Sequence, residues 1–130
     1  MTVYEAVVPR LAMLGYTVTD KDKPGLDYLT GKCEKDLLAN INHKELPEGL
    51  FYTLVDMVAG QFLFDKKAAG DLEGYEFEAA AKSITEGDIS VTFTGASDGA
   101  ATAEARFDAL LARLMHPPES TLAAYRRLRW

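Results

Sequence analysis

Few side chains in this chain of 130 residues are placed to do chemistry. The histidines are His43 and His116, and neither has a second imidazole three or four residues away, the spacing that lets two rings reach one metal from a helix. His43 sits in a polar connection and His116 precedes two prolines, so both are expected at the surface. Cys33 is the single thiol, which excludes an intrachain disulfide and a cysteine–zinc framework. It falls on an apolar stripe of helical spacing, the place of a small buried hydrophobe rather than a nucleophile. Ser83, Ser90 and Ser120 lie outside any Gly-x-Ser-x-Gly turn, while Ser97 stands at the centre of one, Gly95-Ala96-Ser97-Asp98-Gly99, which reads as a flexible loop. Acid pairs such as Asp71/Glu73 and Glu76/Glu78 sit in a solvated linker, whereas acid–base work needs carboxyls held in a cleft with split pKa values. The loop at residues 95–99 lacks the Gly-Lys-Ser/Thr ending of a phosphate-binding loop. Asp56, the one charge in an otherwise apolar run, is expected to face outward or pair with a neighbour. The sequence therefore predicts no catalytic residue, no cofactor and no metal ligand.

These side chains must be held by something, and apolar spacing makes it helices. Thr2 and Glu5 form a capping-box pattern. Val3, Val7, Leu11 and Leu14 follow at helical spacing, and Gly15 supplies a stop. Pro9 is expected to kink or divide that helix, since it lacks an amide and crowds the preceding turn. A second helix is predicted to begin around residues 20–24, on the stripe Leu26, Leu29, Cys33, Leu37 and Ile41. Residues 42–45 are a polar connection. A third helix opens at residues 46–49 and is apolar almost all round to residue 64, as a helix surrounded by others would be, in a core or between subunits. Ala59 and Gly60 leave room in it for a close helix crossing, and Gly70 ends it.

An acidic connection follows, and the period then falls to two. Ile84, the turn Glu86-Gly87-Asp88, and Ile89, Val91 and Phe93 alternating with Ser90 and Thr92 predict a β-hairpin of residues 82–86 and 88–94. A lone hairpin is marginal in water, so Ile84, Ile89, Val91 and Phe93 need cover from helices or a neighbouring subunit. A fourth helix is predicted over residues 102–115 on Phe107, Leu110, Leu111 and Leu114, stopped by Pro117 and Pro118. The remainder carries Leu122, Tyr125 and Leu128 beside Arg126, Arg127 and Arg129, and ends on Trp130. The fold class is mainly α: a single domain of residues 1–130, a helical bundle of four to five helices with one β-hairpin insertion. Residues 119–130 form a C-terminal docking arm, able to leave the bundle without unravelling the fourth helix.

Composition narrows the partners. The chain is 48% hydrophobic and 26% charged, as an ordinary globular protein is. No apolar run reaches the roughly 18–20 residues a bilayer span needs, and the N-terminus lacks the pattern of a secretory signal, so a reducing cytoplasm and no membrane are expected. A net charge of −6 argues against gripping nucleic acid, which needs clustered Lys and Arg. That charge is uneven. Residues 71–108 carry a balance of −7 and residues 109–130 a balance of +3, an asymmetry that two solvated faces account for by themselves and that can also serve self-association or docking.

With its elements in order, the chain resembles a known family. Leu46-Pro47-Glu48-Gly49-Leu50, Val55-Asp56-Met57, the run from Lys82 through Ile84, Gly87 and Ile89 to Val91, and the terminal Tyr125-Arg126-Arg127-Leu128-Arg129-Trp130 resemble the small head–tail connector (adaptor) proteins of long-tailed bacteriophages and prophages. The resemblance spans nearly the whole chain. It implies a virion structural protein and not an enzyme: a helical bundle with an extended hairpin or loop that assembles as a homo-oligomeric ring under the portal, dodecameric in the virion. Such a ring continues the DNA channel used in DNA packaging, lets DNA pass without sequence-specific binding, and joins the portal protein to the next tail-completion protein. The implied locations are the bacterial host cytoplasm during assembly and the head–tail junction afterwards. Pro9 and the acidic connection after Gly70 have no counterpart in that pattern.

The residue pattern fits such a role on its own terms. A closing ring needs two different faces per subunit, and Trp, Tyr and Arg dominate binding energy at interfaces. Two other classes fit the composition as well. A helical scaffolding or regulatory protein-binding module would form a stable low-order oligomer, and a small cofactor-free enzyme would need a deep pocket around Asp56. If the hairpin face is covered, Ile89→Asp and Val91→Asp should each destabilise the fold or block assembly by a few kcal/mol, about 2–4, for an unpaired buried charge. Thermal melts and size-exclusion profiles matching the parent chain's would show that face to be wet.

Overall fold

The structure, a computed structural model, describes residues 2–70 and 103–127. They form α1 (Val3–Met13), a 3₁₀ turn (Asp20–Asp22) leading into α2 (Lys23–Ile41), a second 3₁₀ turn (Glu48–Leu50) leading into α3 (Phe51–Ala68), α4 (Ala103–Met115) and the short α5 (Glu119–Ala123). The fold is mainly helical. The expected hairpin, with Ile84, Ile89, Val91 and Phe93, lies outside the described residues.

Local chemistry sets the helix ends. The Glu5 amide donates to Thr2 Oγ1 at 3.1 Å, and the Thr2 amide donates to the Glu5 carboxylate at 2.7 Å. These bonds hold the Glu5 carboxyl below the usual carboxylate range. Pro9 does not divide the helix: α1 runs through it to Met13. The amide it lacks would have served the Glu5 carbonyl one turn earlier, and Glu5 and Pro9 are both exposed, so water can reach that carbonyl instead. Gly15 at φ 90° turns the chain, and the Tyr16 amide reaches back to the Leu11 carbonyl at 2.9 Å. Gly70, at φ 78°, follows the end of α3.

The core is arranged around α3. Leu54, Val55, Val58, Ala59, Gly60, Phe62 and Leu63 are buried along it. Against them pack Ala6, Val7 and Leu11 of α1, the α2 stripe, and Phe107, Leu110, Leu111 and Leu114 of α4. The α2 stripe is as predicted, with Leu26, Leu29, Cys33, Leu37 and Ile41 all buried. The α3–α4 crossing is tight enough to require a glycine. A Cβ on Gly60 would lie 2.8 Å from Leu114 Cβ and 3.3 Å from the Leu111 carbonyl oxygen. At the outer edge of that crossing Lys67 Nζ meets Asp108 at 2.6 Å and Glu104 at 2.9 Å.

Among the described residues, one acid is buried within this frame. Asp22 is 6% exposed. Burial by itself would raise its pKa, but the Thr19 amide at 3.0 Å, the Tyr16 hydroxyl at 3.0 Å and Lys66 Nζ at 3.3 Å outweigh it and hold the carboxyl below its usual range. The Tyr16 phenol moves the other way, raised by burial and by Asp22. Its ring meets Phe62 edge-on, with centroids 5.3 Å apart. Asp22 thus ties the α1–α2 connection to α3.

Two outcomes are expected. Gly60→Ala gains about 1 kcal/mol of helix propensity but overpacks the crossing by about 1–3 kcal/mol, so its thermal midpoint should fall. Gly31→Ala, in α2 with nothing within 4 Å of the added carbon, keeps the propensity gain and should melt higher. Asp22→Asn should cost about 1–3 kcal/mol at neutral pH. Folding lowers the Asp22 pKa, so that stabilisation is complete above the unfolded carboxylate value of about 3.9 and is lost as pH falls through the folded value. Denaturant titrations should show the gap between the two proteins closing below about pH 4, and a gap constant with pH would exclude the charge as its source.

Candidate docking interface

The docking residues named from the sequence are Tyr125, Arg126, Arg127, Leu128, Arg129 and Trp130, and the last three lie outside the described residues. The first three belong to a short segment, residues 119–127, laid across the end of α2. Pro118, at φ −57° and ψ 138°, turns the chain out of line with α4, and its carbonyl accepts the Thr121 amide at 3.0 Å as α5 begins. Leu122 is buried in the core.

The end of α2 receives this segment because a helix end leaves carbonyls unserved. Asn42, in the left-handed region at φ 58°, closes the helix, and its own amide and that of His43 both donate to the Leu38 carbonyl. The carbonyls of Asn40 and Ile41 project past that closure. The Arg127 amide donates to Ile41 at 2.8 Å, and Arg126 Nε donates to Asn40 at 3.2 Å. Arg126 also holds the Asn40 side-chain oxygen at 2.6 Å and pairs with Glu119, which keeps the Glu119 carboxyl below its ordinary range. His43 Nε2 bonds the Tyr125 carbonyl, and the Asn42 side-chain amide reaches the Arg127 carbonyl at 3.5 Å.

Tyr125 completes the seat. Its ring tip fills the notch at Gly49, where a larger residue would push the tyrosine aside. The apolar part of the segment is thus anchored on its own body, while Arg126 and Arg127 remain exposed at its rim. Residues 42–47 and Arg127 line an open groove beside it. Sequence reasoning missed the receiving half of this arrangement, Asn40, Asn42, His43 and Gly49. The nearest signal in the sequence is an Asn at a helix end followed by a glycine-bearing turn.

The other candidates take quieter places. Asp56 accepts from Arg10 Nε at 3.0 Å, joining α3 to α1, and its side chain is 39% exposed. It pairs with a neighbour, as expected. The buried Cys33 thiol is pushed up by burial and lines a cavity with Met57, Gln61, Met115, His116 and Leu122. No group of three His, Cys, Asp or Glu able to hold a metal occurs among the described residues, nor does any helix there have the length and apolarity to cross a membrane. Comparison with family models, with curated proteins and with solved structures finds no significant match to this chain.

Proposed function

We propose that this protein is a structural assembly protein, a head–tail connector (adaptor) that forms a ring under a phage portal, continues the DNA channel and joins head to tail. The observation that carries the reading is the segment of residues 119–127. Its last three residues, Tyr125, Arg126 and Arg127, open the terminal run that is one of those bearing the resemblance, and it is fastened at an exposed edge by Leu122, Tyr125 and hydrogen bonds to the end of α2. Pro117 and Pro118 uncouple it from α4, so it can move while the four long helices keep their contacts. Arg127, exposed at its rim, offers charge to an acidic groove on the portal or on a neighbouring subunit.

The charge balance supports the channel role. With a net charge of −6 the chain repels phosphate, as a conduit for DNA should. Exposed Tyr28, Tyr52 and Phe64, 69%, 67% and 48% exposed, add apolar area that a neighbouring subunit would cover. The same features suit a helical scaffolding module, which would bind a host protein in place of a portal.

Deletion of residues 119–130 should leave a cooperatively melting bundle, at a lower midpoint because Leu122 is lost from the core, that neither binds the portal nor closes a ring. Trp130→Ala alone should weaken portal binding by about 2 kcal/mol, roughly 30-fold, if the indole is an interface anchor. Circular dichroism melts and a portal pull-down measure both. Normal portal binding by the deletion protein would overturn the reading.

A further inference from the structure

The segment and its seat form two separable halves. The binding half is Leu122, Tyr125, Arg126 and the main chain of Arg127, all after Pro118. The receiving half is the pair of carbonyls on Asn40 and Ile41, the His43 ring and the Gly49 notch, all before α3. The final turn of α4 still bonds inward, the His116 amide donating to the Ala112 carbonyl at 3.1 Å. Pro117 and Pro118, which follow, carry no amide at all. Swinging the segment away therefore costs no hydrogen bond in the hinge itself.

Every contact the segment makes in its own chain is available, unchanged, on another copy. Exchange between copies conserves these bonds and is opposed only by the freedom lost on association. In dilute solution the tether favours the chain's own seat, because a short linker gives an effective concentration in the millimolar range. Copies packed side by side in an assembly present their seats at comparable local concentration, and the tether's advantage disappears.

We propose that residues 119–127 are an exchangeable strap, whose partner in the assembled state is the α2 end and Gly49 notch of a second copy of this chain. Passed from each subunit to the next in one direction, the contact is heterologous and closes a ring; passed reciprocally, it gives a dimer. The inference rests on the reading of this segment as an assembly element and gives it a receptor.

Asn42 and Arg127 adjoin across the seat, which gives the test. The full-length chain carrying both Asn42→Cys and Arg127→Cys should close a disulfide within itself when oxidised at low concentration. Two full-length chains, one with Asn42→Cys and the other with Arg127→Cys, can form that same bond only between copies. Mixed at millimolar concentration, they should give at least ten times more cross-linked dimer than either gives alone. Removing Pro117 and Pro118 from both chains, so that the strap no longer reaches its own seat, should carry the cross-link down to micromolar concentration. If the double variant closes internally while the mixed full-length chains cross-link no better than either alone, the exchange is overturned. The portal pull-down is independent of this result: a chain that binds the portal but never exchanges loses only the present inference, and one that exchanges but ignores the portal loses only the connector reading.

Discussion

The close approach of α3 and α4 is the constraint on which the rest of this molecule depends. Gly60 lets the two backbones come near enough that a single methyl would meet Leu114 Cβ at 2.8 Å. That approach seals Phe107, Leu110, Leu111 and Leu114 against the central helix and leaves each of them 5% exposed or less. Burying one such side chain is worth roughly 1.5–3 kcal/mol, so this seam holds a large share of the stabilising area. It also fixes where α4 ends, and hence where Pro117 and Pro118 release the chain toward α2. The strap finds the end of α2 because the Gly60 crossing sets its starting point.

Around that seam the polar groups act as ties between elements. Arg10 and Asp56 join α1 to α3, Asp22 with Lys66 joins the α1–α2 connection to α3, and Lys67 joins α3 to α4. They differ in weight. Asp22 is enclosed, so its hydrogen bonds cannot be traded for water and its loss leaves Lys66 without that partner. Asp56 and the Lys67 partners are open enough to solvent that their pairs orient the helices and contribute little to stability. All three ties converge on α3.

The strap is built differently from this core. Its bonds go to main-chain carbonyls, to the side chains of Asn40, Asn42 and His43 and to the notch at Gly49, groups that recur in every copy. The Asp22 cluster, enclosed by its own chain, is neither exchangeable nor displayed.

How much of this was legible beforehand depends on distance along the chain. The α2 stripe, the Thr2–Glu5 capping box, the stops at Gly15 and Gly70 and the break at Pro117 and Pro118 follow from rules that act within a few residues, and the sequence by itself determined them. It also marked Gly60 as a crossing point, Cys33 as core and Asp56 as a paired acid, because burial pattern and residue type were enough. The partners were decided only by the tertiary structure. Arg10 and Asp56 stand 46 residues apart, and Arg126 reaches Asn40 across 86. Asp22, one of three acids and lysines in an ordinary polar run, became a buried hub only once Tyr16 and Lys66 closed over it. No local spacing carries that information, because which carbonyl, notch or ammonium lies opposite a side chain is fixed by how whole helices pack. That packing is set by the shape of the entire core.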